Sequence, residues 1–196
     1  MTVPSFLFQG MSGVQIDHLA TNIIVQYQPE VLKGGKAFDV HRFVDTKLED
    51  LTGVIPVYSN ELPPEIYGLT DSANKQVIFQ EDLATDESSL NFFRSTQAHE
   101  TGHCFLHVPQ LQQRSRTQVF RQAKGEDGIH LYRKDDIPIY RNPEWQAWRF
   151  AGALLMPENP LRMILRDGAS LGEIAETFGV NLPFLKTRLK ALKILN

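Results

Sequence analysis

Hydrophobic and polar positions alternate along this chain with two different periods. From Val14 to Tyr27, apolar residues at Ile16, Leu19, Ala20, Ile23, Ile24 and Tyr27 recur every three or four positions, the spacing of one helix face. Pro29 and then Gly34-Gly35 end that helix. Asp39 can cap a second helix carrying Val40, Phe43, Val44, Leu48 and Leu51, which stops at Gly53. The period then shortens. Val54-Ile55-Pro56-Val57-Tyr58, Ile66-Tyr67-Gly68-Leu69-Thr70 and Gln76-Val77-Ile78-Phe79-Gln80 read as strands, with Pro56 favouring a sheet edge and Asp71 to Asn74 forming a turn. Asp86 to Ser89 supplies caps for a helix running through Leu90 and Phe93 to about Leu106, closed by Pro109. Asn142-Pro143 starts another, containing Glu144, Ala147, Trp148, Ala151 and Leu154 and ending at Pro157. Two or three short helices finish the chain.

Two segments carry weaker patterns. Residues 1–13 read as a flexible leader whose Phe6, Leu7 and Phe8 either strap onto the body or form a tail. Residues 110–141 are rich in Arg and Gln and read as a surface insert or hairpin, with Gln118 to Arg121 and Ile129 to Tyr132 flanking a turn. The fold class expected is α+β: a short antiparallel or mixed sheet against the helix around residues 90–106, over residues 14–160, followed by a helix-turn-helix-like module over 161–196.

Composition narrows the function classes. The 196 residues suffice for one substantial core, and the net charge of −3 is no nucleic-acid signature. From Leu161 onward six Lys/Arg face three Asp/Glu, so the last segment is mildly basic. Cys104 is the single cysteine, which excludes an intrachain disulfide. The start lacks a signal-peptide pattern, and no run approaches a membrane span, so the expected location is the cytoplasm.

The chemistry lies in Ala98-His99-Glu100-Thr101-Gly102-His103. On a helix, positions i and i+4 share a face, so His99 and His103 can present ring nitrogens to one Zn²⁺, with Glu100 beside them as a base for activated water. Such a pattern arises by chance in roughly one chain of this length per hundred, so its surroundings decide. Catalytic zinc needs a third protein ligand. Glu144, opening a separate helix, is the best candidate, and the small Ala147 on its face permits close helix approach. The competing reading of Glu144 is an acidic residue favoured by the helix dipole. His107 continues the i+4 series, but a helix-end or supporting role suits it better than ligation. Cys104 reads as a buried structural thiol, and Trp145 and Trp148 as core or groove-wall residues.

AHETGH, followed about forty residues later by EWQAWRFAGALLMP, resembles the ImmA/IrrE family of zinc metallopeptidases. The likeness extends upstream to Phe93-Arg94-Ser95-Thr96-Gln97 and the strand region from Pro63 to Phe79, and downstream to GEIAETFGVNLPFLKTRLKAL. It implies a zincin-like metallopeptidase domain with one zinc on His99, His103 and Glu144, and Glu100 as catalytic base. It also implies a protein substrate, in this family often a helix-turn-helix repressor whose cleavage relieves repression. Thr101 stands where the family has an apolar residue, Gln146 where it has a second Glu and Trp148 where it has Asn; the segment before Glu144 is also long. Zinc lowers the pKa of water from 15.7 to about 7, and Glu100 would pass the proton taken from that water to the leaving amine. His130, Tyr132 and Tyr140 are candidate oxyanion donors.

Two other functions fit the same residues. One is a DNA-associated regulator with a structural or vestigial zinc site, in which Lys186, Arg188, Lys190 and Lys193 contact phosphates. A hairpin packed on the peptidase body is favoured over direct DNA binding, since helical hairpins are common and four basic residues are a thin signal. The other is a zinc hydrolase acting on a small amide, which would need a closed pocket.

Overall fold

The computed structural model describes residues 7–114, 116, 118–123 and 137–195. Helix α1 (Gly13–Tyr27) starts at a capping box: Gln15 donates its backbone N–H to the Ser12 hydroxyl at 3.3 Å, and Ser12 returns its own to Gln15 Oε1 at 2.8 Å. The expected stripe of Ile16, Ala20, Ile23 and Ile24 is the buried face. After a 3₁₀ turn over Pro29–Lys33, the next helical segment begins at Asp39, whose carboxylate accepts from Arg42 N–H. It runs as α2 (Val40–Phe43), a π-helical stretch over Val44–Leu48 and α3 (Glu49–Thr52), and ends at Gly53 in the left-handed conformation.

The three expected strands form as β1 (Ile55–Ser59), β2 (Ile66–Asp71) and β3 (Gln76–Gln80). A fourth, β4 (Val119–Ala123), completes a mixed sheet in the order β1-β3-β2-β4. β1 runs parallel to β3, and β2 runs antiparallel to both β3 and β4. Pro56 sits on the edge strand, where its missing N–H costs no ladder bond. β4 falls within the surface insert or hairpin expected over 110–141, on the arm read at Gln118 to Arg121. Its Phe120 is buried, because the strand alternates and turns that ring inward while Arg121 faces water. The expected partner segment at Ile129 to Tyr132 lies outside the described residues.

Short α4 (Asp82–Thr85) leads through a 3₁₀ turn, capped by the Asp86 carboxylate on Ser88 N–H, into α5 (Leu90–Leu106), the helix of the motif. Pro109 does not close this region. It occupies the first turn of α6 (Val108–Gln113), where a missing N–H is tolerated. α7 (Pro143–Leu155) starts where expected: Asn142 Oδ1 accepts from the N–H groups of Glu144 at 2.9 Å and Trp145 at 3.1 Å. α8 (Glu158–Arg166), α9 (Leu171–Phe178) and α10 (Leu182–Ala191) follow, with a capping box at Ser170 and a left-handed Gly179 between the last two.

α5 packs on β2 and against α7, and α7 packs also on α1. One apolar cluster runs from Ile16 of α1 through Phe79, Phe93, Phe150 and Leu154 to Ile174, Phe178, Leu185 and Leu189. The last three helices therefore share the core of the rest. Two polar ties reinforce them. Arg94 of α5 donates to the carbonyls of Gly179, Phe178 and Phe38. Asp17 of α1 accepts from Arg149 of α7 and from Arg188 of α10. A leader was expected over residues 1–13; its residues 7–12 lie along the body. Phe8 is buried in a small cluster with Leu111 and Phe120, and Met11 N–H bonds the Tyr140 carbonyl.

Candidate metal centre

His99 and His103 lie one turn apart on α5, and both are buried. Glu144 approaches from the first turn of α7. The three residues form a small triangle, which the carboxylate closes with both of its oxygens: His99 Nε2 to His103 Nε2 is 3.1 Å, His99 Nε2 to Glu144 Oε2 is 3.3 Å, and His103 Nε2 to Glu144 Oε1 is 3.5 Å. Ligands at about 2.0–2.1 Å from a tetrahedral zinc stand about 3.3 Å from one another. The spacing of the triangle therefore suits a zinc ion. Among the described residues it is the one cluster of its kind that could hold a metal.

Close approach of the two helices makes the triangle possible. A Cβ on Gly102 would stand 3.0 Å from the Ala147 Cα and 3.2 Å from its carbonyl oxygen. Gly102 and Ala147 are thus the contact point of α5 and α7, as the small residue at 147 suggests. Burial opposes ionisation of Glu144, but the attraction and hydrogen bonds of His103 and His99 outweigh it and hold its pKa well below the usual carboxylate range.

Glu100 faces β2. Its Oε2 accepts the Thr70 hydroxyl at 2.5 Å, while the buried Oε1 has no hydrogen-bond partner among the described residues. A Cβ at Gly68 would lie 2.8 Å from Glu100 Cγ, so the glycine makes room for this side chain. Burial raises the Glu100 pKa, partly offset by the attraction of His99 and His103.

Phe120 of β4 stacks on the His103 ring at 4.1 Å between centroids. Trp148 lies 4.3 Å from His99 and 5.5 Å from Phe184 of α10, with about a third of its surface exposed (37%). It is a wall of the site, as its position suggests. Thr101 keeps the buried place of an apolar residue because its hydroxyl bonds the Gln97 carbonyl at 2.7 Å.

His107 stands outside the triangle, behind His103: the two Nδ1 atoms are 3.0 Å apart. Its Nε2 is 2.9 Å from Gln146 Oε1, and Gln146 Nε2 donates to the carbonyls of Gln9 at 2.9 Å and Tyr140 at 2.7 Å. Burial and the neighbouring His103 push the His107 pKa well below its ordinary value. Cys104 is buried and free, and burial raises its thiol pKa. The Tyr140 ring lies against Gly10 of the leader. His130 and Tyr132 lie outside the described residues.

At α10, Lys186, Lys190 and Lys193 are exposed, but Arg188 is not available for phosphate contacts. It is buried, with its guanidinium on Asp17 and the Met156 carbonyl, which corrects its reading as a surface cation.

The sequence signals behind His99, Glu100, His103 and Glu144 were local. Those behind Phe120, Gly68 and Thr70 were not, since each depends on a strand reaching α5 from elsewhere in the chain. Gln146 was visible only as a departure from a pattern.

A paired-histidine helix joined by a carboxylate from a second helix, with a buried glutamate alongside, defines the class of HExxH metallopeptidase sites. The chain belongs to the peptidase family whose model is described as the IrrE N-terminal-like domain, which matches residues 83–190. No curated protein matches the chain. Among the described residues no helix is long and apolar enough to cross a membrane.

Proposed function

We propose that the chain is a zinc-dependent endopeptidase that hydrolyses peptide bonds with activated water. The observation that carries this reading is the residue triangle with separations of 3.1, 3.3 and 3.5 Å, set beside a buried carboxylate with one oxygen unbonded among the described residues. His99, His103 and Glu144 would hold the zinc, which supplies a Lewis acid that lowers the pKa of water and polarises the scissile carbonyl. Glu100 does the proton work. Thr70 fixes one of its oxygens, so the other is held in one orientation to accept a proton from water and deliver it to the leaving amine. Its apolar burial brings the carboxylate closer in basicity to water activated near neutral pH.

The substrate in this reading is a protein, with a helix-turn-helix repressor first among candidates and relief of repression as the outcome. The protein would work in the cytoplasm. The alternative of a DNA-associated regulator with a vestigial zinc site is weakened by the burial of Arg188.

Glu100→Gln separates these readings. The peptidase reading expects the variant to keep its zinc and lose cleavage of a co-expressed repressor. Undiminished cleavage or repressor release by Glu100→Gln would contradict it.

A further inference from the structure

The hydrogen bonds behind His103 have only one consistent direction. Gln146 faces two backbone carbonyls, those of Gln9 and Tyr140, and carbonyls only accept. The amide NH₂ must point at them, so Gln146 Oε1 points at His107. Because Oε1 is also an acceptor, His107 Nε2 carries a hydrogen and donates it. Among the described residues no carboxylate is hydrogen-bonded to His107, which is buried, so its ring is neutral and its Nδ1 is a bare acceptor. His103 Nδ1, 3.0 Å away, must therefore be the donor. With Nδ1 committed to His107, Nε2 is the ring nitrogen of His103 left to face His99 and Glu144.

We propose that His107 and Gln146 are positioning residues that hold the Nδ1–H of His103 on His107, so that Nε2 is the nitrogen presented to the ligand triangle. The polarity is set from outside the metal site, by the carbonyls of Gln9 and Tyr140. The N-terminal strap is thus a structural part of the centre. Phe8 reinforces it, with its ring edge-on to His107 at 4.9 Å and tilted against Phe120 at 5.9 Å. His99 lacks such support: its Nδ1 is buried without a hydrogen bond among the described residues, and the Trp148 ring holds it instead. The two histidines of the motif are therefore held by different means, one by a directed chain of hydrogen bonds and one by ring packing. This assignment rests on the metal reading proposed above only for its consequence, not for the direction of the hydrogen bonds.

The test uses the full chain, its His107→Phe and Gln146→Met variants, and Zn²⁺ alone as probe. Nitrogen NMR of the imidazole rings in the zinc-free wild type reads the tautomer directly, and His103 is expected as Nδ1–H. Chelator competition reads zinc affinity, which is expected to fall about 10–100-fold in both variants, the usual effect of removing support from a ligand histidine. Folding is checked by circular dichroism. A His103 whose Nδ1 carries no hydrogen in the wild type overturns the proposal. So does a folded His107→Phe that binds zinc as tightly as wild type. If wild type binds no zinc, the metal reading fails while the tautomer measurement still decides this one. If a variant does not fold, the wild-type tautomer decides alone.

Discussion

Replacing Gly102 with alanine tests whether helix contact sets the geometry of the metal triangle. The new Cβ would stand 3.0 Å from the Ala147 Cα, about 0.4 Å short of the 3.4 Å at which ordinary contact begins. It would also meet the Ala147 carbonyl oxygen and Phe150 Cδ1, both at 3.2 Å. The nearest atom is backbone, so relief requires α7 to move away from α5. Two of the proposed ligands ride on α5 and the third on α7, so Glu144 moves with it. Metal sites tolerate about ±0.2 Å in ligand distance. A shift of this size is expected to weaken zinc binding about tenfold or more, comparable to loss of a supporting contact. Stability changes less. Alanine gains about 1 kcal/mol over glycine in a helix interior. Overpacking costs about 1–3 kcal/mol. The balance is a loss of about 1 kcal/mol, which lowers Tm by about 2–4 °C in a domain of this size. Chelator competition and a zinc-free thermal melt read the two effects separately. Wild-type zinc affinity in Gly102→Ala, together with a raised Tm, would refute the reasoning.

Two further expectations follow from buried charges. Arg188→Met removes the guanidinium from Asp17 and from the Met156 carbonyl but leaves Arg149 on Asp17; urea unfolding should show a loss of about 1–3 kcal/mol, with no change in affinity for duplex DNA. Zinc-free Glu100→Gln should melt higher than zinc-free wild type at neutral pH. Burial raises the folded-state pKa of Glu100 above the ordinary carboxylate value of about 4.5, so its ionised form opposes folding once the pH exceeds that value. The advantage of the variant should shrink as the pH falls and vanish below about 4.5, where the carboxyl is protonated in both states.

Much of the fold was legible because it is written locally. The stripe of α1, the caps at Asp39 and Asn142, and the change of period at Val54 each occupy a few neighbouring residues. The metal triangle was legible for the same reason: i,i+4 spacing puts two histidines on one face, and a Pro-started helix presents Glu144 in its first turn. What could not be read depends on distant partners. Phe120 lies among Arg and Gln residues that suggest a surface, and its burial follows from pairing with β2, some fifty residues earlier. Arg188 looks like a phosphate ligand until Asp17, at the other end of the chain, is seen to hold it. Pro109 reads as a helix stop, yet it lies in the first turn of α6, because the chain breaks earlier, at His107. The role of Gln146 needs the carbonyl of Gln9, which a leader-like sequence does not announce.

The central claim is that His99, His103 and Glu144 together bind one zinc ion. Elemental analysis of the purified full chain, beside Glu144→Ala, tests it most directly. The account predicts close to one zinc per wild-type chain and a large loss in the variant. Less than about 0.2 zinc per wild-type chain, unrestored by added zinc, would contradict it.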